Sequence, residues 1–290
     1  MSHSLPVTKR RQWFLFAASL LIFVYLIAQV DYAPFSLLGV LGAIFANATG
    51  AGGGVVFIPA FQALDISAEQ SVATSFAIQC FGMTTGALLW SRFAKQQAKT
   101  ESDWRLAVPF LLATVPASIL GLWFVYGGGL ASPASLSLLF AWFSTLLGCA
   151  LFVAVLKKNL RHQVDIESRQ ANRGDLLSLI VIGFVGGIVT AWLSVGVGEF
   201  VAFYLIVRGY RVTLAVAVAV ILSALTVWAG IGFHLVADTI HYQILIFAGP
   251  GAVFGAIIAK LIATRLPVMQ LKLFFAGWVL LVGVIELIAH

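Results

Sequence analysis

Apolar residues recur along this chain in runs close to the roughly 20 residues that cross a hydrocarbon core, with short polar loops between them. The runs cover residues 12–30, 34–62, 68–91, 104–126, 134–156, 176–207, 211–235, 241–264 and 268–289. Each predicts a membrane helix, but 34–62 and 176–207 are too long for a single one. Residues 32–64 contain no Asp, Glu, Lys or Arg, and the turn Asn47-Ala48-Thr49-Gly50-Ala51-Gly52-Gly53-Gly54 interrupts their middle. A continuous helix of that length would measure about 50 Å, against a core of about 30 Å. The glycines predict a break into two half-helices, the second starting near Val55. In the later run, Ser194-Val195-Gly196-Val197-Gly198 predicts a second break, with its half-helix starting at Glu199. Irregular backbone at membrane depth survives only where protein or a water-filled cavity covers it.

Composition narrows the class. The chain has 290 residues, 61% hydrophobic and 10% charged, with a mean hydropathy of +1.03. These values exclude a soluble globular domain and a disordered chain. The alternating ten-residue strands of a β-barrel are missing, and the longest polar stretch is only residues 157–175. The first run follows Lys9, Arg10 and Arg11 and lacks a convincing small-residue cleavage site, so it reads as a retained span. Cys80 and Cys149 lie inside apolar runs, so no disulfide framework is expected, and Cys80 reads as a small packing residue.

The net charge of +6 sits in short loops, which points to positive-inside topology and contact with anionic lipid rather than to nucleic acid. If both long runs crossed the membrane fully, the basic N-terminus and the basic loop at 92–105 would lie on opposite faces. If both are re-entrant, all 17 basic residues fall on or near the inner face. Asp31, Asp65, Glu69 and Asp238 then fall outside. The expected fold is an all-α polytopic membrane protein with its N-terminus in, seven full spans and its C-terminus out. Residues 1–33 form a basic segment and one extra span, 34–156 a first repeat, 157–175 a cytoplasmic linker and 176–290 a second repeat. Each repeat is a re-entrant broken helix plus three transmembrane helices, and the two are inverted. At an offset of 144, Gly39, Gly42, Gly52, Gly54 and Gly86 fall on Gly183, Gly186, Gly196, Gly198 and Gly230. Trp13, Trp90, Trp104, Trp123 and Trp278 lie near span ends and read as interface anchors.

The candidate chemistry lies at the breaks. A half-helix N-terminus leaves N–H groups unpaired and carries partial positive charge. Two such ends meeting at mid-membrane would make an anion site needing no lysine or arginine. Asn47, Thr49, Gly50, Gly52, Gly53 and Gly54 supply one end, and Ser194, Gly196 and Gly198 the other. Isolated glycines such as Gly39, Gly42, Gly183, Gly186 and Gly187 serve close helix packing instead. Ser71, Thr74, Ser75, Gln79, Gly82 and Gly86 share one face of the 68–91 helix. Thr74, Ser75 and Gln79 could complete an oxyanion's coordination, or make hydrogen bonds between helices. The counterpart face, with Ser223, Thr226, Gly230 and His234, is thinner. Glu199 is the one acidic residue placed deep in the membrane. Low dielectric favours its neutral form and a helix N-terminus its ionised form, so it reads either as a proton-exchanging group or as a cap. His234, Asp238 and His241 lack the spacing of a metal site, and no cofactor is implied.

The run from Asn47 to Pro59, Asn-Ala-Thr-Gly-Ala-Gly-Gly-Gly-Val-Val-Phe-Ile-Pro, resembles the signature of the TauE/SafE sulfite exporter family, also called 4-toluene sulfonate uptake permeases. Val72 to Gln79 is similar to that family too. The resemblance implies a non-enzymatic secondary transporter of sulfite, an organosulfonate or a related anion in the bacterial cytoplasmic membrane. The residues add to this an expectation of alternating access around the two turns, with Glu199 open to proton coupling or to a capping role. A passive anion channel of the same architecture is the alternative. The second half departs from the glycine-rich pattern, reading Gly196-Val197-Gly198-Glu199-Phe200, with Phe203 where Pro59 stands in the first half. Substrate, direction, stoichiometry and oligomeric state are not encoded in any motif.

Overall fold

The structure is a computed structural model that describes residues 31–131, 135–159, 172–265 and 268–289. The expected first span with Lys9, Arg10, Arg11 and Trp13 lies outside the described residues, as do Arg161 and Arg169 of the linker. The side chains of Lys157, Lys158, Lys272 and Trp278 lie outside them too.

Ten helices follow one another among the described residues: α1 (Pro34–Thr49), α2 (Gly54–Gln62), α3 (Ala68–Gln97), α4 (Ala107–Gly128), α5 (Leu136–Asn159), α6 (Arg173–Leu193), α7 (Val197–Val207), α8 (Val212–Val236), α9 (Tyr242–Arg265) and α10 (Val268–Ala289). A 3-10 turn, Ser102–Leu106, leads into α4. Local chemistry sets several ends. Pro34 opens α1, the Ser67 hydroxyl accepts the Gln70 N–H at the start of α3, and the Asn172 side chain accepts the Gly174 N–H at the start of α6. Five segments are long and apolar enough to cross a membrane: Ala68–Gln97, Ser102–Gly128, Arg173–Leu193, Val212–Val236 and Tyr242–Arg265. Leu112, Leu177 and Ile246 stand exposed on three of them, as residues facing lipid do.

The two long apolar runs are both broken, and each folds back on itself. In the first, Gly42 makes room for the Phe57 ring, and Phe35 and Phe61 meet at 6.3 Å, so α1 and α2 run antiparallel. In the second, Gly186 makes room for Val197, and Asp175 Oδ1 lies 2.7 Å from Arg208 Nε, so α6 and α7 do the same. The open ends of the hairpins lie far apart. Tyr32, at the first, contacts the ring of His241 at 5.8 Å, just beyond the end of α8. Arg211, at the second, immediately precedes α8. That helix has 25 residues and is about 37 Å long.

Close backbone approach holds the bundle. Between α1 and α9, Gly39 faces the carbonyl of Ala248, Gly251 that of Ser36 and Gly255 that of Val40. Between α4 and α6, Gly121 faces the carbonyl of Phe184, Gly183 that of Thr114 and Gly187 that of Ser118. Hydrocarbon gives no hydrophobic drive for helices to associate, so small residues that let backbones touch supply the attraction by packing. α5 pairs with α10, where Gly148 meets Leu280, and α3 pairs with α8 in the centre.

Two tryptophans differ from expectation. Trp90 is fully buried and donates to the Asn47 carbonyl at 3.1 Å, and Trp104 is buried with its N–H on Glu101 at 3.1 Å. Neither reads as an interface anchor: Trp90 is tied across the fold by its hydrogen bond, and Trp104 is packed inside it edge-on to Phe93 at 5.3 Å, its N–H on a near neighbour in the chain. Trp123 is exposed.

The packing carries a test. Gly251→Val places a side chain against the Ser36 carbonyl and is expected to destabilise by roughly 1–3 kcal/mol, read as a lower melting temperature in detergent. Gly232→Ala, where an added methyl meets nothing within 4 Å, is expected to leave it unchanged or slightly raised.

Candidate functional site

The first break begins where Gly50, at φ 84°, ends α1 in the left-handed region and returns its N–H to the Ala46 carbonyl at 3.0 Å. Ala51–Gly53 lead into α2. At the second break Ser194 takes φ 57°, a strained value for serine, and Gly196 takes φ 140°, which suits only glycine. α7 starts at Val197, two residues before the expected start at Glu199. Glu199 therefore sits inside the first turn, as its third residue, where a carboxylate can reach back to the residue before the helix.

The tips touch reciprocally. A methyl added to Gly54 would press on the Leu193 and Ser194 carbonyls, and one added to Gly198 on the Gly50 carbonyl and the Ser223 hydroxyl. Glu199, fully buried, binds both breaks: Oε1 accepts the Gly52 N–H at 2.7 Å and Oε2 the Gly196 N–H at 2.8 Å. Gln79 makes a second tie from α3. Its Oε1 accepts the Gly53 N–H at 2.9 Å, and its Nε2 lies 3.0 Å from the Ser194 carbonyl and 2.8 Å from the Ser194 hydroxyl. Ser194 Oγ donates to Ser75 Oγ at 2.9 Å, and Thr190 Oγ1 accepts the Val197 N–H at 3.0 Å. A void of about one water molecule remains between Gly52, Gln79, Thr190, Gly198, Glu199 and Ser223. Ser223 Oγ is buried against it without a hydrogen-bond partner.

The structure thus gathers Gly52, Gln79, Ser194, Gly196, Gly198 and Glu199 around one void, with Gly50, Gly53, Gly54 and Ser75 directly behind. Three expected site residues face elsewhere. Asn47 donates to the Ala43 and Gly82 carbonyls, at 2.9 and 3.4 Å. Thr49 caps its own helix, donating to the Phe45 carbonyl and accepting the Ala51 N–H. Thr74 accepts the backbone N–H of His241 at 2.9 Å. Thr190 and Ser223 were not among the expected site residues. The repeat offset of 144 points at Ser223, because it maps Gln79 onto that position.

A chain whose apolar helices include two broken hairpins joined tip to tip, with five segments able to span a bilayer, is a multi-pass membrane protein of the transporter class. It belongs to the sulfite exporter TauE/SafE family, which it matches over residues 35–285. It is also 21% identical over 269 residues to the probable membrane transporter protein YunE of Bacillus subtilis (strain 168), covering 85% of this chain and 94% of that one. No solved structure matches it. Family and relative alike are membrane transporters, not enzymes.

Gln79→Leu strips partners from the Gly53 N–H and from Ser194. Each buried group left unpaired costs about 1–3 kcal/mol, so the variant is expected to melt clearly below wild type in detergent.

Proposed function

We propose that this chain is a secondary transporter that moves a small sulfur-containing anion, sulfite or an organosulfonate, by alternating access at the meeting point of the two hairpin tips. The observation that carries the reading is the cluster of buried backbone donors, Gly52, Gly53, Gly196 and Val197, gathered from two hairpins with opposite mouths. Such donors suit an anion without a fixed cation. The substrate-binding set is Gly52, Gly53, Gly54, Gln79, Ser75, Ser194, Gly196 and Gly198, with Glu199 as the proton-coupling group.

The two halves form inverted repeats in this reading. Exchanging α1–α5 for α6–α10 turns the α1–α9 contact into the α6–α4 contact and maps the α3–α8 and α5–α10 contacts onto themselves. Gly54 against Ser194, and Gly198 against Gly50, obey the same exchange. The hairpins are re-entrant from opposite faces. The mouth near Arg208 and Arg211 is the cytoplasmic one, because the basic residues of the described loops gather there. The mouth near Asp65 and Asp238 is external.

Two measurements test this. In proteoliposomes, sulfite, thiosulfate, sulfate, sulfoacetate and chloride are compared with and without a pH gradient, and a saturable flux of one sulfur-containing anion is expected. Current that fails to saturate and ignores pH would make the protein a channel. In cells, single cysteines at positions 65 and 208 are expected to label from outside and inside respectively, and the reverse pattern ends the inverted-repeat reading.

A further inference from the structure

We propose that the Glu199 carboxylate is a tethered stand-in for the transported anion, so that carboxylate and substrate exclude one another at the same two N–H groups. The inference rests on the transport reading and deepens it. The carboxylate spans both tips with one oxygen each, on Gly52 and on Gly196. Any anion with two oxygens on one central atom offers the same pair of acceptors, as sulfite, sulfonates and carboxylates do. The void beside Glu199 has room for about one water, so an oxyanion enters only after the carboxylate leaves. Ser223 Oγ, buried and unpartnered at that void, is a third donor that the carboxylate does not use.

Charge makes the exchange conditional. Two anions cannot share the pocket, because among the described residues no cation lines it. α3 presents Gln79, α6 presents Thr190, the second break presents Ser194, α8 presents Ser223, and the first break presents only backbone. Of the titratable side chains on the helices around it, Cys80 follows Gln79 on α3, and His234, near the C-terminal end of α8, is held against Phe76 and Tyr126. Asp175 and Arg208 neutralise each other at the mouth of the second hairpin. Glu199 therefore releases the N–H groups when it takes a proton from water on the open side. One proton then enters with one anion, and both leave together. Transport of a monoanion is electroneutral, and transport of a dianion carries one net negative charge.

The test uses purified full-length protein and three added anions: formate, methanesulfonate and, as a bulky control at equal ionic strength, gluconate. Glu199→Ala leaves the two N–H groups without an acceptor. Formate and methanesulfonate are expected to raise its melting temperature saturably, by about 5 °C, while leaving wild type unmoved at pH 7.5. Equal shifts in both proteins, or none in the variant, overturn the inference. Glu199→Gln keeps the shape of the side chain and removes its charge. Methanesulfonate affinity is expected to rise about tenfold per unit fall in pH in wild type and to stay flat in this variant. The same slope in both overturns the inference while leaving transport standing. Rescue of Glu199→Ala without flux through wild-type proteoliposomes would support the shared site and remove the transport reading.

Discussion

Every backbone N–H inside a bilayer must find its acceptor within the protein, and this constraint governs the centre of the molecule. Breaking two apolar runs in the buried centre of the molecule frees donors there. The chain satisfies them with side chains: Glu199, on the second hairpin itself, takes one donor from each break, Gln79 of α3 takes Gly53, and Thr190 of α6 takes Val197. The acceptors are few and shared, so the two tips are coupled. Neither hairpin can shift without freeing a donor on the other, and a buried free donor is costly. A transporter gains from such coupling, because the site then has one arrangement on both hairpins at a time.

The surrounding helices make that coupling possible by holding the hairpins close. The glycines of α1, α4, α6 and α9 sit on backbone carbonyls of the partner helix, leaving no side chain to act as a spacer. Phe57 and Val197 enter the gaps left by Gly42 and Gly186, so the same residue type that closes the helix pairs also closes each hairpin. The result is a close-packed frame around tips whose backbones touch and whose donors are bridged by Glu199 and Gln79.

The breaks, the hairpins and Glu199 were legible in the sequence because each rests on a signal with few alternatives. A charge-free run too long for the membrane must be interrupted, glycines in its middle mark where, and a lone carboxylate among apolar residues stands out. What one line of residues could not show was which side chains answer which donors. Asn47 and Thr49 lie in the motif yet face α3 and their own helix, since one residue of rotation in a helix turns a side chain by about 100°. Trp90 and Trp104 sit at span ends in sequence but inside the fold in space. Thr190 carries no motif and Ser223 is marked only by the repeat offset, so it takes the tertiary approach of α6 and α8 to bring them to the void.

The mouths of the two hairpins are closed by different forces. At one, Asp175 receives Tyr204, Arg208 and Tyr210, and nearby Arg211 joins Glu101 and Asp103 at 2.7 Å, with both arginines reaching solvent. At the other, the rings of Tyr32, Phe35, Phe61 and His241 pack together, and no ion pair joins them among the described residues. Ionic strength screens the first kind of closure, whereas kosmotropic salts strengthen the second and cooling weakens it. The medium around each hairpin mouth therefore sets part of how firmly that mouth is held, and the two respond to added salt in different ways.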